Sequence, residues 1–168
     1  MHHLVNIFEK ANWLKYKKSA PAASVMIKIT YPPYEYRIKE VEGREWIFDP
    51  FRKQWTRLTP EEWVRQNFLQ YLVQEKKYPA ALIAIEKEIQ LGELKKRFDI
   101  LVYKDALPWM VIECKEMNTV IDETVLKQVL NYNITLQAPF IVVTNGTSVH
   151  GFGIQQDKMN KLESLPAF

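Results

Sequence analysis

Residues 97–115 read RFDILVYKDALPWMVIECK, and the fold turns on how this stretch divides. Arg97–Tyr103 and Trp109–Lys115 are apolar runs rich in β-branched and aromatic residues, joined by the turn-like Lys104–Pro108. So short a link predicts two antiparallel neighbours in one sheet. Alternation along the second run puts Glu113 and Lys115 on one face, with Ile112 and Cys114 on the other. Asp99 lies in the neighbouring strand between Phe98 and Ile100. Three ionisable groups are thus expected to converge on one side of an apolar sheet. Buried charge is costly unless it is paired or bound to a metal, so the cluster asks for a chemical reason.

The flanking sequence extends the pattern in both directions. Leu82–Gln90 alternates through Ile83, Ile85 and Ile89 as a third strand, and Leu91-Gly92 turns the chain. Thr59-Pro60-Glu61-Glu62 is a helix start, with a capping hydroxyl, proline in the first turn and acids at the positive end of the dipole. That helix is predicted to run to about Glu75 with Val64, Phe68, Tyr71 and Leu72 on its apolar face. Glu61 and Arg65 sit beside this face and Glu62 further round. Downstream, Asp122–Leu136 reads as a second helix and Phe140–Thr144 as a buried strand. After the Asn145-Gly146 turn, Val149–Ile154 and Lys161–Leu165 are expected to pair as a last hairpin. The order from Pro60 onward is helix, three strands, helix, strand.

Residues 26–58 read as an added β layer. Met26–Thr30 is expected as a short strand, interrupted by Tyr31-Pro32-Pro33-Tyr34. Glu35–Val41 and Glu45–Phe48 flank a turn at Glu42-Gly43-Arg44, and Gln54–Leu58 adds a third strand. Residues 1–25 show one short amphipathic stretch and are expected to form a loosely attached tail, with Met26 as the natural start. The division expected is therefore tail 1–25, β addition 26–58 and α/β domain 59–168.

Composition narrows the function. The chain has 168 residues, 47% hydrophobic and 26% charged, ordinary values for a globular domain. No apolar run approaches the ~20 residues of a membrane helix. One cysteine, Cys114, precludes a disulfide within the chain and suits a cytoplasmic location. There is no phosphate-binding G-x-x-x-x-G-K-[ST] loop, and only five glycines in all, so a motor or kinase has no support. Of three histidines two are His2 and His3, which leaves His150 too isolated for a histidine metal cage or a Ser-His-Asp triad. A net charge of +3 does not by itself indicate nucleic acid.

Metal-assisted phosphodiester hydrolysis would account for the acids. Asp99 and Glu113 offer hard oxygen ligands to Mg²⁺ or Mn²⁺, and the Cys114 main-chain carbonyl could complete the shell. Such an ion polarises phosphate and helps generate hydroxide. Lys115 would orient the attacking water or stabilise the developing charge. The plainer alternative is a Glu113–Lys115 surface salt bridge. Gln128 and Tyr132 stack at helical spacing beside the Val125/Val129 stripe. Gln128 could hold Lys115 or a phosphate, with Tyr132 beside it, or be a satisfied core glutamine. Lys95-Lys96-Arg97 could guide a phosphate backbone to the site, or be a solvated turn. Trp46, Trp55 and Trp63 are expected as core or interface residues.

Asp99, Glu113-Cys114-Lys115 and the Gln128/Tyr132 pair, in this element order, resemble the PD-(D/E)-x-K nuclease superfamily in its RecB-like branch. More narrowly, Pro60-Glu61-Glu62-Trp63-Val64-Arg65-Gln66, Arg97-Phe98-Asp99, Glu113-Cys114-Lys115 and Val143-Thr144-Asn145-Gly146 resemble the N-terminal nuclease domain of type I restriction enzyme R subunits. The resemblance covers roughly residues 59–147 and implies a restriction-endonuclease-like α/β fold, a mixed sheet flanked by helices. It implies Asp99, Glu113 and Lys115 as the catalytic core, Gln128 and Tyr132 as an accessory motif, and a first-helix glutamate as a further metal-side acid. Glu61 fits that role better by its face, with Glu62 the alternative. Phe98 stands where the family's proline is usual. The activity implied is Mg²⁺- or Mn²⁺-dependent cleavage of DNA by a stand-alone version lacking the translocase of long R subunits. A module that keeps the fold for nucleic-acid binding or assembly without catalysis is the rival, and a homodimer is left open.

Overall fold

The computed structural model describes residues 26–91, 94–156 and 158–168; the side chains of Leu91, Leu94 and Tyr132 are outside that description. The expected tail 1–25, Gly92 of the expected turn and the Tyr132 side chain therefore lie outside the described residues.

Two sheets form. β1 (Ile38–Val41), β2 (Arg44–Asp49) and β3 (Gln54–Arg57) make an antiparallel meander. Its first turn places Glu42 and Gly43 at φ of 52° and 69°, the left-handed pair that a two-residue hairpin needs. Its second is held by Asp49, whose Oδ1 accepts from the amides of Phe51 and Arg52 at 2.7 and 2.9 Å. α1 (Pro60–Gln70) follows, capped by Thr59 Oγ1, which accepts from the Glu62 amide at 3.1 Å. The expected helix to Glu75 ends its regular part at Gln70 and finishes as a π turn, Tyr71–Glu75.

The larger sheet has six strands in the order β4 (Ile83–Leu91), β5 (Leu94–Lys104), β6 (Leu107–Cys114), β7 (Phe140–Thr144), β8 (Val149–Gln155), β9 (Lys158–Leu162). Only β6 and β7 pair in parallel, because α2 (Glu123–Leu136) carries the chain across between them. The remaining neighbours are antiparallel. The result is a mixed α/β fold with a six-stranded sheet flanked by helices, in the expected order of elements. Phe68 and Leu69 of α1 and Leu72 of the π turn pack over Ile100, Ile112, Cys114 and Val142 on one face. Val129 and Leu130 of α2 pack over Leu101, Val111, Ile141 and Val143 on the other.

Several expectations need correction. Met26–Thr30 is not a strand. It is held to the sheet by the Ile27 amide on the Val149 carbonyl at 2.8 Å, with Ile29 packed against the same core that buries the Ile27 side chain. Gly151 leaves room for that side chain, since a Cβ there would stand 2.8 Å from Ile27 Cδ1. β1 starts at Ile38 rather than Glu35, because Tyr36 leaves the strand line to pack its ring 4.8 Å from that of Trp63. The last strand is Lys158–Leu162, not Lys161–Leu165: Leu162 pairs with Gly151 and fills the space over Gly151 and Gly153. Finally, Lys95, Lys96 and Arg97 belong to β5 itself and not to a solvated turn.

Candidate active site

The site forms where β5 and β6 part. Their pairing ends at Ile100 with Ile112, so Asp99 and Glu113 stand one residue beyond the last bonded position. The Cys114 amide, freed from the ladder there, donates to Asp99 Oδ2 at 2.7 Å. The Lys115 amide instead reaches across β7 to the Thr144 carbonyl at 2.8 Å. Strict alternation also fails at Asp99: Phe98 packs with the α2-side core, but Ile100 packs with the α1-side core.

Each acid is held by a specific partner. Glu113 Oε1 accepts from Lys115 Nζ at 2.7 Å and from Gln128 Nε2 at 3.2 Å. Asp99 Oδ1 accepts from Arg65 Nη2 at 2.7 Å. That same nitrogen donates to Glu61 Oε1 at 3.2 Å, while Nη1 pairs with Glu62. Gln128 is therefore turned inward onto the strand that bears Glu113. These contacts make two groups, Glu113 with Lys115 and Gln128, and Asp99 with Arg65 and Glu61, which meet where the Cys114 amide donates to Asp99.

Burial and charge set the electrostatics. Burial, then the neighbouring Asp99 charge, raise the Glu113 carboxyl from the ordinary 4.5 to about 7, despite the opposing pull of Lys115. Burial followed by Asp99 also raises Glu61. Burial lowers the Lys115 ammonium, but the hydrogen bond and charge of Glu113 outweigh it and the net shift is upward. Cys114, fully buried, has its thiol pushed well up by desolvation and is an inert apolar residue here. Two carboxylates thus crowd one another with an incompletely compensated negative charge.

Glu61 and Glu62 divide their work. Glu61 is half-exposed and close enough to Asp99 and Lys115 to feel both charges. Glu62 is buried and turns away, accepting from Arg52 at 2.8 Å and Gln66 at 2.8 Å.

Neither Glu86 nor Arg52 is singled out by the sequence. Glu86 faces Asp99 across the β4–β5 pair at the position where pairing skips, with a left-handed φ of 48°. It pairs with Arg52, Arg65 and Arg97. A charged residue in an alternating strand carries no signal that its backbone will invert. Lys127 was equally silent, although it adjoins Gln128 on α2. With Lys95, Lys96, Arg97 and Gln128 it lines an open cleft of about 710 Å³ between β5 and α2. Lys95 also pairs with Glu88 at 3.1 Å and Arg97 with Glu86 at 3.5 Å, both at exposed positions. His150 has no site partner here; it lies on β8 opposite Val143.

The donor chemistry fits a hard divalent cation. Among the described residues no three carboxylate, histidine or cysteine side chains gather as a preformed cage. Two carboxylates and a main-chain carbonyl, with water and substrate phosphate filling the rest, are the usual provision for Mg²⁺. Among the described residues no helix is long and apolar enough to cross a membrane.

A family model described as the N terminus of type I restriction enzyme R protein matches residues 60–167. Among solved structures, a fragment assigned to an HsdR subunit of a type I restriction enzyme from Vibrio vulnificus YJ016 superposes with a TM-score of 0.50 at 19% identity. The match covers 66% of this chain but 24% of that one, and at this identity it speaks to the fold alone. No curated protein matches the sequence.

Proposed function

The chain belongs to the family of type I restriction enzyme R protein N termini, and from that premise we propose that it hydrolyses DNA phosphodiester bonds with a divalent metal. The observation that carries the reading is the acid pair Asp99 and Glu113 at the parting of β5 and β6, with Lys115 hydrogen-bonded to Glu113. Asp99 and Glu113 would hold Mg²⁺ or Mn²⁺, together with the Cys114 carbonyl and, through water, Glu61. When bound, the ion supplies Lewis-acid polarisation of the phosphate and a lowered pKa for water.

The chain's own groups do the rest. Lys115, kept cationic by Glu113, offers its ammonium protons to a water or to a phosphate oxygen as negative charge develops. Gln128 fixes Glu113 Oε1 and so keeps that carboxylate aimed. Tyr132, four residues on along α2, is assigned the accessory role beside it. Lys95, Lys96, Arg97 and Lys127 place four cations along the cleft that abuts Gln128, a footprint for a phosphate backbone.

The test is cleavage of labelled single-stranded, duplex and branched DNA by purified protein in Mg²⁺, Mn²⁺ and EDTA. Cleavage should need the metal and should vanish in Asp99→Asn and Lys115→Ala, both of which should stay folded. Metal-independent cleavage, or wild-type cleavage by either variant, would remove the mechanism. DNA binding without cleavage in any metal would favour the non-catalytic module.

A further inference from the structure

The N-terminal meander reaches the acid pair through a buried chain of ion pairs. Arg52, at the β2–β3 turn, is anchored by Asp49, whose Oδ2 accepts from its Nε at 2.5 Å. Its two terminal nitrogens diverge, Nη1 pairing with Glu86 and Nη2 with Glu62 at 2.8 Å. Those same two glutamates are partners of Arg65, which holds Asp99 Oδ1 at 2.7 Å. Gln66 ties the system together by donating to Asp49 at 2.9 Å and Glu62 at 2.8 Å. Asp49, Glu62 and Gln66 are buried, and Arg52 is largely so.

In this system Asp49, Glu61, Glu62, Glu86 and Asp99 share the guanidiniums of Arg52, Arg65 and Arg97, so negative charge exceeds positive by two. Arg65 has four acidic claimants: Glu61, Glu62, Glu86 and Asp99. How firmly it holds Asp99 depends on how well the competing glutamates are satisfied by something else. Gln66 on Glu62 and Arg97 on Glu86 contribute, but Arg52 is the one group that engages both glutamates besides Arg65, and it comes from outside residues 60–167, the span matched by the family model. A planar guanidinium can serve three carboxylates at fixed angles; an ammonium cannot reproduce that fork.

We propose that Arg52 is a positioning residue of the Asp99 site: by sharing Glu62 and Glu86 with Arg65 Nη1 it leaves Nη2 of Arg65 aimed at Asp99. The consequence for metal binding rests on the nuclease reading above; the coupling between Arg52 and Asp99 does not.

The first measurement is a double-mutant cycle on metal-free protein, using chemical denaturation of the parent, Arg52→Gln, Asp99→Asn and the pair. If Arg65 is drawn off Asp99 when Arg52 is lost, Asp99→Asn should cost less stability in the Arg52→Gln background than in the parent. Additive shifts would overturn the proposal, because residues without shared partners add. If Arg52→Gln fails to fold, Arg52→Lys replaces it in the cycle, keeping charge and removing the fork. The second measurement is Mn²⁺ calorimetry on the same proteins. Loss of a residue that orients a ligand weakens metal binding by about 10- to 100-fold. Arg52→Gln should fall in that range and Arg52→Lys should weaken binding by less. Unchanged or tighter Mn²⁺ binding in both would show a merely structural arginine and overturn the proposal. A coupled cycle in a parent that binds no Mn²⁺ would retain the positioning role and defeat the metal reading instead.

Discussion

Glu113 concentrates the conflict on which the site depends. Its carboxyl lies under the α2-side core, near Asp99, and titrates near 7 in the folded chain against an ordinary 4.5. Between those values the folded state binds the proton more tightly than the unfolded state does. Its stabilising contribution is therefore complete below about pH 4.5 and is lost as the pH climbs through 7. In metal-free buffer the melting temperature of the parent should fall across this window more than that of Glu113→Gln. Glu61 is raised too and acts in the same direction, so the difference between the two proteins isolates Glu113. With Mn²⁺ the trend reverses, because proton and cation compete for one carboxylate: the Mn²⁺-induced rise should grow as the pH passes through about 7. Equal pH slopes in parent and Glu113→Gln would place the titration elsewhere.

At the scale of elements, α2 is the part whose placement the accessory residues depend on. Asp122 caps it, with Oδ1 accepting from the amides of Thr124 and Val125 at 2.8 and 3.1 Å. Asp122→Ala should cost about 1 kcal/mol of stability, read by denaturant midpoint. Because Gln128 rides less than two turns further on, cleavage should fall while DNA affinity holds. Unchanged cleavage in a measurably destabilised variant would detach the accessory helix from the chemistry. Helix starts of this kind were legible in the sequence, since Thr59-Pro60 and Asp122 mark them by local hydrogen bonding alone. So was the facing of Glu113, Lys115 and Gln128, which strand alternation and helical spacing predict; Asp99 could be placed on the neighbouring strand, but alternation breaks at that residue. What stayed hidden depends on geometry across the chain. The register of β9 follows from space above Gly151 and Gly153, and the irregular course of Met26–Thr30 goes with the seat of Ile27. Glu86 owes its role to an inverted φ opposite Asp99, and Arg52 to a sheet docking whose partners lie 10 and 34 residues away. Neither leaves a local pattern.

Across the whole molecule the charge is uneven, although the net value is only +3. Acids and arginines gather between the meander and α1, while Lys95, Lys96, Arg97 and Lys127 line the opening between β5 and α2. A phosphate backbone laid along that opening meets Gln128 and then Glu113. Lys127→Ala should weaken DNA binding about equally for all sequences and reduce the slope of log affinity against log salt by about 1. Fluorescence anisotropy in Ca²⁺ from low to moderate salt would read both, without cleavage. An unaltered slope would move the nucleic-acid track away from α2. Its counterpart at the acid pair, Asp99→Asn, should leave the slope nearly intact, since that residue repels rather than attracts phosphate.

The connectivity around Asp99 has a kinetic meaning as well. Its guanidinium partner lies 34 residues upstream and its amide partner 15 downstream, and Glu113 waits a further 15 residues for Gln128. Contacts so distant in sequence form late, because each must close a loop before it returns any energy. A chain still emerging from the ribosome would carry Asp99 with β4 beside it but with neither β6 nor the crossover helix in place. The side-chain cluster is therefore complete only once β6, α2 and β7 have docked.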